Sequence, residues 1–348
     1  ALAAGLARGA PDADIRQTPV ADGGDGTVAA FVAAGWEPAW VDTVGPTGMP
    51  TTASYAVRGK TAVIELADSV GLVKLPGAEP DPMYAGTYGL GVVIGDALDR
   101  GFRDIVLGLG GSASSDGGAG MLQALGLRIL DGNGNELPRG AAPLAEARKI
   151  EYDHLHAAIS ETSFVLASDV DNPLLGPHGA VAVFAPQKGA NPRQSVELEA
   201  ALTNWAHVVA DDNVAPTAGA GAAGGTGFGA MAVLRARARS GIELILELID
   251  FTGQVRAGDL VITGEGALDE QTLRGKAPAG VAATARAAGA QVVAVAGRCT
   301  LATAQLGAAG FSHCYTLAEL EPVETRSIAA AARLLEEVGV RIAADFLR

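Results

Sequence analysis

The sequence predicts an α/β protein of two domains, and three observations carry that reading. Its 348 residues are enough for two domains or one large one. Short β-rich apolar runs end repeatedly in glycine-rich loops that lead into helical stretches, which is the α/β pattern. From Trp40 to Val73 the texture shifts to hairpin-like alternation, so a second domain is expected to start near Asp42.

Composition narrows the function before any motif is read. Apolar residues make up 49%, enough for a large core, while 47 glycines are about twice the usual share and point to backbone-lined turns. Aromatics at 5% argue against a stacking surface for single strands, and a formal charge of −14 argues against nucleic-acid binding in general. If the ligand is an anion, local cations or Mg²⁺ must reverse the field within the site. Lys188, Arg193, Arg274, Lys276 and Arg298 are the candidates. Cys299 and Cys314 lack metal or redox spacing and fit a reducing cytoplasm. No apolar run reaches membrane-spanning length, and no membrane association is expected. The chain begins ALAAGLARGAPDAD in what reads as the body of a helix, so an upstream strand and loop are expected.

Residues 1 to 10 read as that helix, and Asp14 to Pro19 as a short strand. PVADGGDGT, Pro19 to Thr27, then leads into a helix from Val28 to Ala34. Asp22 and Asp25 sit on its glycine turn, where turn chemistry alone explains two Asp-Gly pairs, yet two carboxylates at a helix start also suit Mg²⁺. A hairpin follows, Ala53 to Val57 and Ala62 to Leu66, and a helix from Tyr88 to Leu98. The strand Asp104 to Gly110 runs into GLGGSASSDGGAGMLQALG, a glycine and serine loop whose helix ends at Gly126.

Gly108, Gly110 and Ala113 satisfy the dinucleotide spacing, with Asp131 beyond. Against a dinucleotide, Asp116 falls where a helix should meet a pyrophosphate, and Asp131-Gly132-Asn133-Gly134 reads as a hairpin turn. Gly110, Gly111, Ser112 and Ser114 would equally cradle a phosphate, or form a packing turn. His154 and His156 are two apart, a metal spacing only on a strand. The strand Phe164 to Ala167 ends in Asp169, Asp171 and Asn172, where a carboxylate would act as base or hold Mg²⁺, or simply make an Asx turn. Val181 to Ala190 repeats the layout of strand and charged turn, ending at Gln187 and Lys188. A helix from Gln194 to Ala210 follows, then a glycine loop, Gly219 to Ala230, before a helix from Met231 to Arg239.

DLVITGEGALDEQTLRGKAPAGVAATARAAGA, Asp259 to Ala290, gathers the most chemistry in one stretch. Leu260 to Thr263 form a strand, and Pro278 marks a helix start with Ala277 as its cap, leaving backbone N–H groups open to an anion. Glu265, Asp269, Arg274 and Lys276 lie between. Gln291 to Ala296 is the next strand, and Arg326 to Leu347 the closing helix. No Walker A sequence, G-x-S-x-G elbow or protein-kinase signature is present.

Read together, PVADGGDGT, GGSASSDGGAGM, ASDVDNPLLG, FAPQKGA, GAAGGTGFGA and VITGEGALDEQT followed by RGKAP resemble the bacterial type I glycerate kinase family, from Pro19 to about Val281. The resemblance implies a flavodoxin-like domain, residues 1–41 and 259–348, with an inserted domain, 42–258, similar to restriction endonucleases. It implies ATP-dependent phosphorylation of D-glycerate with Mg²⁺, at the 2-hydroxyl. On that basis Lys276 and the N–H groups after Pro278 would stabilise phosphate oxygens. Glu265 and Asp269, with Asp22 or Asp25, would hold Mg²⁺ or the attacking hydroxyl, and Asp169 and Asp171 compete as base. Arg274 and Lys188 would pair with the substrate carboxylate beside Asn172. The loops Gly110 to Ser114 and Gly224, Gly225 and Gly227 would close over ATP. The chain departs from the family at Asp25, where Glu is usual, at Thr87 to Val92, and at Ser114-Ser115 in place of Thr-Asn. The family's first strand and lysine-bearing loop have no counterpart before Ala1. A monomer or homodimer is expected. The rival readings are an NAD-dependent dehydrogenase built on Gly108 to Ala113 and a non-catalytic ligand-binding relative.

Overall fold

Glycine turns and apolar alternation resolve into three sheets in the computed structural model, which describes residues 1–210, 213–274 and 276–347, apart from the side chain of Arg274. Two units follow from how the chain packs: Ala21–Gly241, and Ala1–Val20 with Ile242–Arg348.

In the larger unit, β1 (Glu37–Val44), β2 (Pro50–Arg58) and β3 (Thr61–Glu65) form an antiparallel meander. β4 (Asp104–Gly108) joins β3 in parallel. A separate ribbon pairs β5 (Arg128–Leu130) with β6 (Lys149–Glu151), and the main sheet continues through β7 (Ser163–Ala167) to β8 (Arg237–Arg239). The parallel register sets Glu65 beside Gly108, Gly108 beside Ala167, and Ala167 beside Arg239. Four strands therefore end in line, and the loops that leave them emerge from one edge, where open α/β sheets bind ligands. Tyr55, Ile64, Leu90, Leu107, Met121, Trp205 and Phe228 fill the core behind it.

The smaller unit has three parallel strands, β9 (Leu260–Leu268), β10 (Gln291–Cys299) and β11 (His313–Thr316), in the order β11-β10-β9. Helix Leu2–Gly9 lies so close to helix Ala331–Phe346 that a Cβ on Gly5 would come within 2.1 Å of the Glu336 carbonyl oxygen. Leu6, Val293, Val295, Leu334, Val338 and Ile342 pack around that crossing. Among the described residues, no helix is long and apolar enough to cross a membrane.

Packing divides the chain at 20/21 and 241/242, while the change of texture pointed to a start near Asp42 and the family resemblance to bounds at 41/42 and 258/259. The reason is packing: Phe31 is fully buried and meets Trp36 edge-on at 4.8 Å, with Arg58 of β2 over the indole, so residues 21–41 belong to the meander's unit. On the other side, Ile242 packs against Gly280 of the smaller unit. Residues 14–19 form no strand. Ala180–Phe184 is a helix, since an apolar run of that length fits either state and Gly179 lets it start there. Met231–Arg239 divides: the helix runs Ala222–Val233, and the arginines form the edge strand β8. The closing helix is likewise two, Glu324–Ala329 and Ala331–Phe346.

Candidate active site

In the larger unit the candidate residues gather around the turn 22–26. Gly110 N–H donates to the Gly23 carbonyl at 3.0 Å, and a Cβ on Gly110 would stand 2.4 Å from the Gly24 Cα, so glycine is required for this crossing. Asp22 is half-buried and its Oδ1 accepts the Gly24 N–H at 3.3 Å. Asp25 is exposed, and its Oδ1 lies 2.2 Å from where a Cβ of Gly111 would be. Helix Thr27–Ala33 starts there without a local side-chain cap. Glu65, at the end of β3, supplies it: Oε1 accepts the Gly26 N–H at 2.9 Å and Oε2 the Val28 N–H at 3.0 Å. Burial pushes the Glu65 carboxyl above its ordinary value, the two N–H groups pull it back, and Asp68 and Asp25 push it further up.

Beyond β4 the serine turn is tied from beneath. Ser112 Oγ and Ser114 Oγ are 3.0 Å apart, and the Ser114 N–H donates to Ser112 Oγ at 3.1 Å. Lys188 is only 3% exposed, and its Nζ donates to the Ser114 carbonyl at 2.5 Å and to Ser112 Oγ at 3.4 Å. Burial lowers its pKa to about 8, against the opposing charge of Asp116. Asp116 is fully buried and accepts the N–H and hydroxyl of Thr87, each at 2.8 Å, and the N–H groups of Gly120 and Gly118 at 3.1 and 3.3 Å. Burial raises its pKa while those four donors oppose the rise.

The second glycine loop packs on the first. Ala223, Gly224 and Gly225 are left-handed within helix Ala222–Val233, at φ 53, 65 and 87. The Gly224 carbonyl accepts the Gly117 N–H at 3.0 Å, and a Cβ on Gly224 would sit 2.1 Å from the Ser114 carbonyl oxygen. Gly227 lies equally close to the Gly219 carbonyl. Close backbone packing thus accounts for glycine at both positions.

After β7, Asp169 Oδ1 accepts the Gly241 N–H at 2.9 Å and the Ser240 hydroxyl at 3.2 Å. A Cβ on Gly241 would meet the Asp22 backbone carbonyl oxygen at 2.0 Å, so the backbone of the turn at Asp22 and the Asp169 side chain both lie against Gly241. Asp171 is exposed, and Asn172 Nδ2 donates to the His178 carbonyl at 2.8 Å.

In the smaller unit β9 runs beyond its predicted end and carries Glu265. Buried Thr272 organises the loop: its hydroxyl donates to the Glu265 carboxylate and accepts the Asp269 N–H at 3.1 Å. Asp269 Oδ1 in turn accepts the Gln271 N–H at 2.8 Å. The helix Ala277–Ala287 is capped by Lys276, where Ala277 was expected, because Lys276 already has extended φ and ψ and its carbonyl accepts from Ala279 and Gly280. No side chain caps it, and Lys276 Nζ donates to Gln271 Oε1 at 3.1 Å. Gly275 and the Arg274 side chain lie outside the described residues.

The dinucleotide reading finds no ribose acid. Asp131 Oδ1 accepts the N–H groups of Asn133 and Asn135 and is spent on the turn. His156 accepts the Ala158 N–H and faces Asp99, and His154 is exposed. Among the described residues, no group of three or more His, Cys, Asp or Glu side chains is placed to hold a metal. Sequence reasoning did not single out Glu65 or Thr272. Glu65 is a charge closing an apolar strand, which was a usable signal; Thr272 gave none.

Residues 1–347 match the model of the glycerate kinase family. Over 303 residues the chain is 43% identical to a glycerate kinase of Halalkalibacterium halodurans, covering 85% of this chain and 80% of that one. It is 42% identical over 298 residues to a glycerate 2-kinase of Escherichia coli K12, covering 83% and 78%. A solved structure from Salmonella typhimurium LT2, provisionally named glycerate kinase 2, superposes with a TM-score of 0.83 at 39% identity, covering 99% of this chain and 92% of that one.

Proposed function

We propose, since this chain belongs to the glycerate kinase family, that it transfers the terminal phosphoryl group of ATP to the 2-hydroxyl of D-glycerate and releases ADP. The observation that carries this reading is roughly two-fifths identity, spread over most of the chain, to proteins named glycerate kinase. The name of the Escherichia coli relative supports the 2-hydroxyl.

Phosphoryl transfer asks the protein mainly for positioning and charge neutralisation. Lys276 and the uncapped N–H groups of helix Ala277–Ala287 are suited to phosphate oxygens, with a cation and a helix N-terminus side by side. Glu265 and Asp269 are held as a pair through Thr272. Asp169, held on Gly241 at the end of the strand that also leads to Asp171, would take the proton of the attacking hydroxyl, with Asp171 the alternative base and Asp22 facing the hydroxyl or Mg²⁺. Asn172 and Arg274 would meet the substrate on sequence grounds. Lys188 is reassigned: a buried ammonium bonded to Ser114 steadies the serine turn instead of meeting the substrate carboxylate.

Gly110, Gly111 and Ser112, backed by the fully buried Ser114 with Gly224 packed against its carbonyl, would form the cover for ATP. Mg²⁺ fits this donor set, since it takes one or two hard carboxylates and completes its shell with phosphate oxygens and water. Asp22 or exposed Asp25 in the larger unit, or Glu265 with Asp269 in the smaller one, would hold it; when bound it would neutralise phosphate charge. The test is ADP release measured over a panel of hydroxy acids, with NAD binding as a control. ADP formed with D-glycerate supports the reading, whereas NAD binding without ADP release overturns it.

A further inference from the structure

We infer that Glu65 is a positioning residue that holds the turn carrying Asp22 and Asp25 in its working geometry. The inference rests on the roles proposed above for those two acids. Glu65 closes β3 with its backbone paired beside Gly108, so it stands at the origin of the loop that contains Gly110 and Gly111. Its side chain reaches back 39 and 37 residues to Gly26 and Val28, using both carboxylate oxygens, at 2.9 and 3.0 Å. It is 7% exposed.

The turn is gripped at two points. One is the Gly110 N–H on the Gly23 carbonyl, and the other is Glu65 on Gly26 and Val28. Asp25 lies between them, its Oδ1 against Gly111. A local Ser or Asp would cap this helix equally well. A cap from the strand end does more, because it fixes the turn to the same edge of the sheet as the glycine loop. If the grip is released, helix Thr27–Ala33 remains, but the two carboxylates lose their register on that loop. Removing a group that only positions others lowers kcat more than it raises KM.

Glu65→Gln breaks one of the two bonds, since its amide NH₂ faces a backbone N–H. In the full chain, kcat is expected to fall about tenfold or more, with each KM changing less than about threefold. Amide exchange in a peptide spanning residues 22–28 should rise, while helix Pro192–Val209 stays protected. Phe31→Leu loosens the same helix without touching the grip and serves as the structural control. An equal loss of kcat in Phe31→Leu, or an unchanged kcat and unchanged exchange in Glu65→Gln, overturns the inference. Asp22→Asn and Asp25→Asn separate the two levels. If these lose activity and Glu65→Gln does not, the inference alone fails. If both keep wild-type kcat, the proposed roles of the acids fail with it.

Discussion

Replacing Lys188 with methionine tests the buried cation beneath the serine turn. Burial holds the Lys188 ammonium at about 8, against 10.5 for a free lysine. Between those values the unfolded chain carries the proton and the folded chain does not, so unfolding takes up a proton and stability rises with pH. At about 1.4 kcal/mol per pH unit, the wild type gains up to about 3 kcal/mol across that window from this group. Below pH 8 both states are protonated and the contribution is constant. The Lys188→Met variant lacks the group and therefore lacks the rise. The stability gap between the two proteins should shift by about 3 kcal/mol in favour of the wild type from pH 8 to 10.5. Taking the difference cancels the other lysines and the tyrosines. Urea unfolding followed by tryptophan fluorescence, in small pH steps, reads the midpoint and the slope. A gap that stays flat over the window would mean that the ammonium titrates as a solvated one, and would refute the burial.

Gly224→Ala forces a side chain into φ 65 and to 2.1 Å from the Ser114 carbonyl oxygen, so a loss of about 2 kcal/mol or more in urea is expected. Gly134→Ala, at φ 82 with open space around it, should cost about 1 kcal/mol, and equal costs would remove the packing explanation. Lys276→Ala should lower kcat about a hundredfold or more with an unchanged circular dichroism spectrum and urea midpoint. Wild-type turnover in that variant would rule out a phosphate contact for Lys276.

Much of this was legible before the fold was known, because the candidate site residues sit where strands stop. An apolar run that breaks into Gly-Leu-Gly-Gly-Ser or Ser-Asp-Val-Asp announces a strand end and its loop, and β4 and β7 end within two residues of the expected places. What stayed hidden depends on three-dimensional packing. Val181 to Phe184 is apolar in either state, and only its neighbours make it a helix. Arg237 to Arg239 is a strand because β7 offers an edge, which no local preference reports. That residues 21–41 pack with the larger unit was not legible, because Trp36 meets Arg58 and Val28 meets Glu65, partners 22 and 37 residues away. Lys188 reads as a cation in a charged turn that would pair with the substrate carboxylate. Its burial depends on a serine turn more than seventy residues earlier.

The proposed activity of this chain is phosphorylation of the 2-hydroxyl of D-glycerate at the expense of ATP. Incubating the protein with D-glycerate, ATP and Mg²⁺ and following the product by ³¹P and ¹H NMR tests it directly. The expected result is one new phosphate ester coupled to the proton on C2, formed in step with ADP. A phosphate coupled to the C3 protons, or ATP left intact, would contradict it.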